Sequence, residues 1–182
     1  MIVIVAPGQG SQTPGFLEPW LDLEGAREQL GAISDAVGID LVAHGTTSDA
    51  DTIRDTKVAQ PLIVAAGLLT LSSLFADGRH EKVGGVAGHS VGEVTAAAAA
   101  GILSDTDAVA FVRERGRAMA DAAALEPTGM SAVLGGDEAA LLERLAELDL
   151  FPANFNGGGQ LVVAGALPAL AALAENPVAG TR

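Results

Sequence analysis

The sequence contains no cysteine and only three histidines. Disulfides, thiolate metal sites and a cysteine nucleophile are therefore excluded. His44, His80 and His89 are too scattered to suggest a metal site, so no metal is expected. Basic residues are also scarce: 10 Lys and Arg stand against 23 Asp and Glu, a formal net charge of -13. A surface of that sign repels a nucleic-acid backbone, and no nucleic-acid partner is expected. Any anionic partner must meet a local basic group such as Arg113 and Arg117. No apolar run approaches the roughly eighteen residues needed to span a bilayer, and Met1 leads straight into Ile2-Val3-Ile4-Val5 without a basic leader. No membrane partner is expected, and a cytoplasmic location is the default. The chain is rich in apolar residues, 49% of its 182, with a mean hydropathy of +0.37. That is enough for a buried core domain and a small subdomain.

β-Branched Ile2 to Val5 reads as a short buried strand stopped by Pro7-Gly8, and a polar loop runs from Gly8 to Gly15. Helical stretches are expected over Trp20 to Val37 and, more strongly, Ala59 to Phe75. Val83 to Ala87 reads as a second buried strand, followed by an alanine-rich helix from Val91 to Ala100 closed by Gly101. Ser104 with Asp107 is a variant capping box that starts a helix running to about Ala124. Glu126-Pro127-Thr128-Gly129 then marks a boundary. Beyond it the order is β-α-β-β-α, with strands at Met130 to Leu134, Phe151 to Asn154 and Leu161 to Ala164. The helices there are Asp137 to Glu147 and Leu167 to Glu175. A ferredoxin-like unit needs one more strand, so this unit is expected to be truncated at Arg182. The expected organisation is an α/β core over 1–126 and a small α+β unit over 127–182.

Gly88-His89-Ser90-Val91-Gly92 lies between a strand and a helix, which is the nucleophile-elbow pattern. Glycines on both sides leave room for a strained turn that projects the hydroxyl. The N-H groups at the start of the helix face a developing oxyanion. The competing reading makes Ser90 an ordinary helix N-cap, which would need neither glycine.

At about 100° per residue, Phe111, Val112, Ala108, Met119 and Ala123 share one stripe of the helix from 105 to 124. Arg115 falls inside that stripe, whereas Arg113 and Arg117 fall on the polar face. An inward guanidinium needs an anionic partner. If this helix returns antiparallel to the one after Ser90, both spanning about 15 Å, Arg115 comes back to the level of Ser90. A carboxylate-bearing acyl substrate would suit that pair. An internal salt bridge, for instance to Glu93, is the alternative.

These residues give the chain a resemblance to the malonyl-CoA:acyl-carrier-protein transacylases of fatty-acid synthesis and the related polyketide synthase acyltransferase domains. It is carried by Pro7-Gly8-Gln9-Gly10-Ser11-Gln12, Gln60-Pro61-Leu62, Gly88 to Glu93, Arg115-Gly116, Asn154-Phe155-Asn156 and Gln160 to Gly165. The resemblance implies an α/β-hydrolase-like core with a parallel sheet and an inserted ferredoxin-like subdomain. It implies that Ser90 accepts a malonyl group, that the Gln9 and Val91 amides form the oxyanion hole, and that Arg115 clamps the malonyl carboxylate. His89, Gln60 and Met119 would line the site, and Asn154 and Asn156 would border it. No cofactor is implied; the substrate would be malonyl-CoA and the acceptor the phosphopantetheine of an acyl carrier protein. A branched Val91 beside the nucleophile resembles the malonyl-selective pattern rather than the methylmalonyl-selective one. The family's catalytic histidine comes from a later segment, and His44, His80 and His89 match no such base.

Other classes share parts of the pattern. A serine esterase or thioesterase would use the same elbow but has no use for Arg115. Gly8-x-Gly10 after a strand hints at a dinucleotide site, yet position 13 is Thr13 rather than glycine. A non-catalytic carrier-protein-binding module would carry no acyl group on Ser90.

Overall fold

The computed structural model describes residues 1–76 and 78–182. The chain is mixed α/β and divides into two compact units, Met1–Ala120 and Asp121–Arg182.

The first unit carries a two-stranded parallel sheet, β1 (Ile2–Ala6) and β2 (Val83–Gly88), paired from Ile2 with Val83 to Ala6 with Gly88. Parallel strands need a long crossover. Here it contains α1 (Ala26–Val37), α2 (Leu41–Thr46) and α3 (Thr56–Phe75), with 3-10 turns at Glu18–Asp22, Thr52–Arg54 and Arg79–Lys82. α4 (Gly92–Ala99) and α5 (Asp105–Ala123) follow β2. The single helix expected over Trp20 to Val37 is broken: the 3-10 segment closes at an extended Leu23, and Gly25, at φ 76°, opens α1 as its N-cap. α2 was not legible in the sequence; its start is fixed by Asp40, whose carboxylate accepts the Ala43 N-H at 2.9 Å. The core gathers Leu17, Leu30, Leu41, Ile53, Leu62, Val64, Leu68, Val91, Ala108 and Val112.

α3 corrects one expectation about apolar length. It has 20 residues, and an 18-residue window within it has a mean hydropathy of 1.8, so it is long and apolar enough to cross a membrane by length and composition. Pro61 and the polar Gln60 hid this from a search for uninterrupted runs. Its residues Ala59, Leu62, Ile63, Val64, Leu68 and Leu69 are buried inside the unit, as in a core helix. The N-terminus of α3 is capped by Asp55, which accepts the Lys57 N-H at 2.8 Å. At α5, Ser104 Oγ accepts the Asp107 N-H at 3.1 Å and donates to Asp107 Oδ2 at 2.7 Å. The cap forms, although the acid returns to the serine hydroxyl rather than to its backbone.

The second unit contains β3 (Thr128–Leu134), α6 (Glu138–Glu147), β4 (Phe151–Gly157), β5 (Gln160–Ala166) and α7 (Leu167–Glu175). Its sheet is antiparallel with β5 in the middle, order β3-β5-β4. Val133, Leu161 and Val163 pack with Leu141, Leu145, Leu170 and Leu173 of the two helices. On the side of β3 away from β5, Leu134 exchanges backbone hydrogen bonds with Arg182 at 2.9 and 3.0 Å, and Gly135 bridges Thr181 antiparallel.

Candidate active site

The site forms where the two parallel strands end together. His89 N-H donates to Ala6 O at 3.0 Å, so the chain leaves β1 and β2 at one level. Ligand sites of open parallel sheets collect at such carboxyl ends. Ser90 then takes φ 54°, a left-handed conformation that residues with side chains seldom adopt. The glycines make that turn possible: a Cβ at Gly88 would collide with the backbone of Gly92 and Glu93, and one at Gly92 with the carbonyls of Ala6 and Pro7. Gly92 N-H donates to His89 O at 2.9 Å and Glu93 N-H to Ser90 O at 3.0 Å, which leaves the Val91 N-H at the head of α4. The N-cap of α4 is Val91, without a side-chain cap bond. Ser90 is therefore not a capping serine, and it stands exposed at the turn.

Arg115 meets this hydroxyl from α5. Its Nη2 donates to Ser90 Oγ at 3.2 Å and its Nη1 to Gln60 Oε1 at 2.5 Å. Gln60 is 1% exposed, and its Nε2 donates to Met119 Sδ at 3.0 Å. Four residues, from α3, α5 and the turn after β2, thus form one hydrogen-bonded chain. Among the described residues no carboxylate pairs with Arg115, so the internal salt bridge to Glu93 is not what forms.

The phase expected for α5 needs correction. Its buried residues are Ala108, Val109, Val112 and Gly116, whereas Phe111 is 55% and Met119 41% exposed. The expected stripe reached round to Phe111, so it lay to one side of the packed face. The close-packed face is made of small residues, and half-buried Arg115 lies on its flank, where it can reach Ser90. Gly116 sets the helix spacing, since a Cβ there would lie 3.3 Å from Thr56 O and 3.7 Å from Gln60 Cβ.

The loop after β1 is tied to the start of α3. Gln9 Nε2 donates to Thr56 Oγ1 at 3.3 Å and Arg54 O at 3.4 Å. Gln12 accepts the Gly10 N-H at 2.8 Å and donates to Ile53 O at 2.9 Å. Gln12 was given no role from sequence; its partner is 41 positions away, and no local pattern announces it. The His89 ring packs against Gly8, whose Cβ, if present, would strike His89 Nδ1. Val91 is 0% exposed, with its side chain in the core. That removes the basis for reading its side chain as a filter against methyl-branched donors, and only its backbone faces the site. Asn154 and Asn156 belong to the second unit, where Asn156 Nδ2 donates to Gln160 Oε1 at 2.7 Å across the β4–β5 hairpin. On the outer face of α5, hydrogen bonds from Arg117 and then its charge hold the Glu114 carboxyl below the usual carboxylate range.

The sequence profile of the acyl transferase domain matches residues 3–181. This chain belongs to the acyl transferase domain family. Among its relatives, the malonyl CoA-acyl carrier protein transacylase of Mycobacterium bovis is 55% identical over 186 residues, covering 100% of this chain and 61% of that protein. The transacylase of Escherichia coli strain K12 is 33% identical over 169 residues, covering 88% of this chain and 53% of that protein. The crystal structure of MCAT from Mycobacterium tuberculosis superposes with a TM-score of 0.95 at 55% identity, over 100% of this chain and 61% of that one. A type II PKS acyl-carrier protein in complex with its malonyl-transacylase matches with a TM-score of 0.85 at 26% identity, over 98% of this chain and 60% of that one. The acyl transferase chain described here therefore spans about three-fifths of the length of its first curated relatives.

Proposed function

We propose that this chain carries the nucleophile and the carboxylate clamp of an enzyme that moves a malonyl group from malonyl-CoA to the phosphopantetheine thiol of an acyl carrier protein, in fatty-acid or polyketide synthesis. The observation that carries this reading is the Arg115 guanidinium, 3.2 Å from Ser90 Oγ and without a carboxylate partner among the described residues. In the first half-reaction Ser90 Oγ attacks the thioester carbon, the carbonyl electrons move onto oxygen, and the Gln9 and Val91 amides hold that oxyanion. The tetrahedral species collapses with loss of the coenzyme A thiol, which takes the serine proton through a general base, and leaves a malonyl ester on Ser90. The second half-reaction reverses these steps with the carrier thiol as nucleophile. By family resemblance the base is a histidine from a segment beyond Arg182. Throughout, Arg115 pairs with the malonyl carboxylate, a planar two-pronged task suited to guanidinium. His89 walls the site beside Gly8.

The framework around this chemistry fits an α/β-hydrolase-like core, with the nucleophile at the end of a parallel strand and before a helix. The second unit fits a ferredoxin-like subdomain: its order β3-β5-β4 leaves the outer edge of β3 for a fourth strand, and Thr181 and Arg182 already pair there. The organisation we favour remains a core over 1–126 and a small unit over 127–182. A cytoplasmic location accompanies this function.

The test uses the full-length protein containing this chain. Incubation with malonyl-CoA should add one malonyl mass, located on Ser90, and transfer it to a holo carrier protein. Ser90→Ala should abolish the adduct. Malonyl-CoA should be preferred over acetyl-CoA by about ten- to a hundredfold in kcat/KM, the factor expected when a half-buried guanidinium loses charge-assisted hydrogen bonds, about 1.5–3 kcal/mol. Equal loading of acetyl, or an Arg115→Ala variant that keeps the malonyl preference, would make Arg115 a structural residue and favour an esterase.

A further inference from the structure

We propose that Gln60 is a positioning residue that sets donor selectivity by fixing the Arg115 guanidinium, with Met119 fixing Gln60 in turn; the proposal rests on the carboxylate-clamp reading above.

Arginine has only donors, so the Gln60 atom that faces Arg115 must be the carboxamide oxygen. That choice turns the Gln60 amino group toward Met119 Sδ, 3.0 Å away. Both ends of the amide are therefore assigned, and with 1% exposure no water competes for them. A buried polar side chain inside the helical core is retained at a cost unless its bonds matter. Here it sits one residue before Pro61, on the part of α3 that Gly116 allows α5 to approach closely. The bond geometry then determines what Arg115 can present. With Nη1 held by Gln60 and Nη2 directed at Ser90, the plane of the guanidinium is fixed relative to the nucleophile. Its remaining hydrogens can meet a carboxylate on an acyl group attached there. Without Gln60 the charge remains but its plane turns freely. The expected loss is in recognition of the carboxylate, not in attack by serine.

The experiment measures serine loading by malonyl-CoA and acetyl-CoA in full-length wild type, Gln60→Met, Gln60→Glu and Arg115→Ala, with thermal unfolding of each. Gln60→Met keeps the side-chain volume and removes the acceptor. It should raise KM for malonyl-CoA about tenfold, as for a lost hydrogen bond to a charged group, and lower the malonyl-to-acetyl ratio accordingly. Gln60→Glu should lower that ratio further, because its carboxylate occupies the guanidinium that the substrate needs. If Gln60→Met fails to fold, the ratio in Gln60→Glu decides the matter. A wild-type ratio in the folded variants, or an equal loss with both donors, overturns the positioning role. Failure of the clamp reading itself looks different: Arg115→Ala would then keep the malonyl preference.

Discussion

Ser90 holds φ 54° while carrying a side chain, a conformation that costs an L-residue about 1–2 kcal/mol and glycine almost nothing. Function and backbone comfort thus oppose one another at a single position. Ser90→Ala and Ser90→Gly should both lose the acyl adduct, with the glycine variant more stable than the alanine variant by about 1 kcal/mol. Denaturant unfolding of the two variants measures the difference, and an alanine variant as stable as the glycine one would show that the turn is not strained. Gly92 behaves oppositely. Its Cβ would meet the backbone carbonyls of Ala6 and Pro7, which no rotamer change can relieve, so Gly92→Ala should cost about 2 kcal/mol or more. These residues were legible in the sequence because their constraints are local. Gln12 was not, since its value depends on Ile53 being close in space.

Between elements, the contact that matters most is the crossing of α3 and α5 at Gly116. Alanine there gains about 1 kcal/mol of helix propensity, but its Cβ would lie 3.3 Å from Thr56 O. The two effects nearly cancel in stability. They do not cancel in geometry, because any added separation carries Arg115 away from Gln60. Gly116→Ala should therefore melt within a few degrees of wild type yet lose malonyl preference, whereas unchanged selectivity would mean that the crossing has slack. The sequence reading placed α5 correctly from its cap but mistook its buried face. The expected stripe ran from Phe111 to Ala123, whereas the packed face is built from Ala108, Val109, Val112 and Gly116. Short elements such as α2 escaped for a different reason: six residues give too few repeats for a helical period to register.

For the molecule as a whole, the parallel sheet leaves apolar side chains uncovered. Strands in parallel sheets are usually covered on both faces, yet Ile2, Val3 and Val5 of β1 are 50%, 52% and 71% exposed. Open strand edges beside apolar side chains invite association. The 182-residue chain expressed by itself should self-associate at micromolar concentration, and sedimentation across a dilution series reads this directly. A monomer with one cooperative thermal transition would contradict it. β1 and β2 were readable as strands because these segments are short, β-branched or glycine-rich and sharply bounded. The exposure of β1 was not readable, since burial depends on what lies beside a strand.

The bonds that Arg115 makes before any donor arrives have a consequence for when ordering is completed. A free arginine side chain carries about 2 kcal/mol of rotamer entropy, and a carboxylate that had to immobilise it would bind more weakly by that amount. With one end of its fork on Gln60 and the other on Ser90, much of that freedom is removed by the fold itself. Folding has absorbed the loss. A carboxylate then meets the remaining hydrogens of a guanidinium already in place, so the temperature dependence of donor binding should be dominated by enthalpy rather than by the ordering of this side chain.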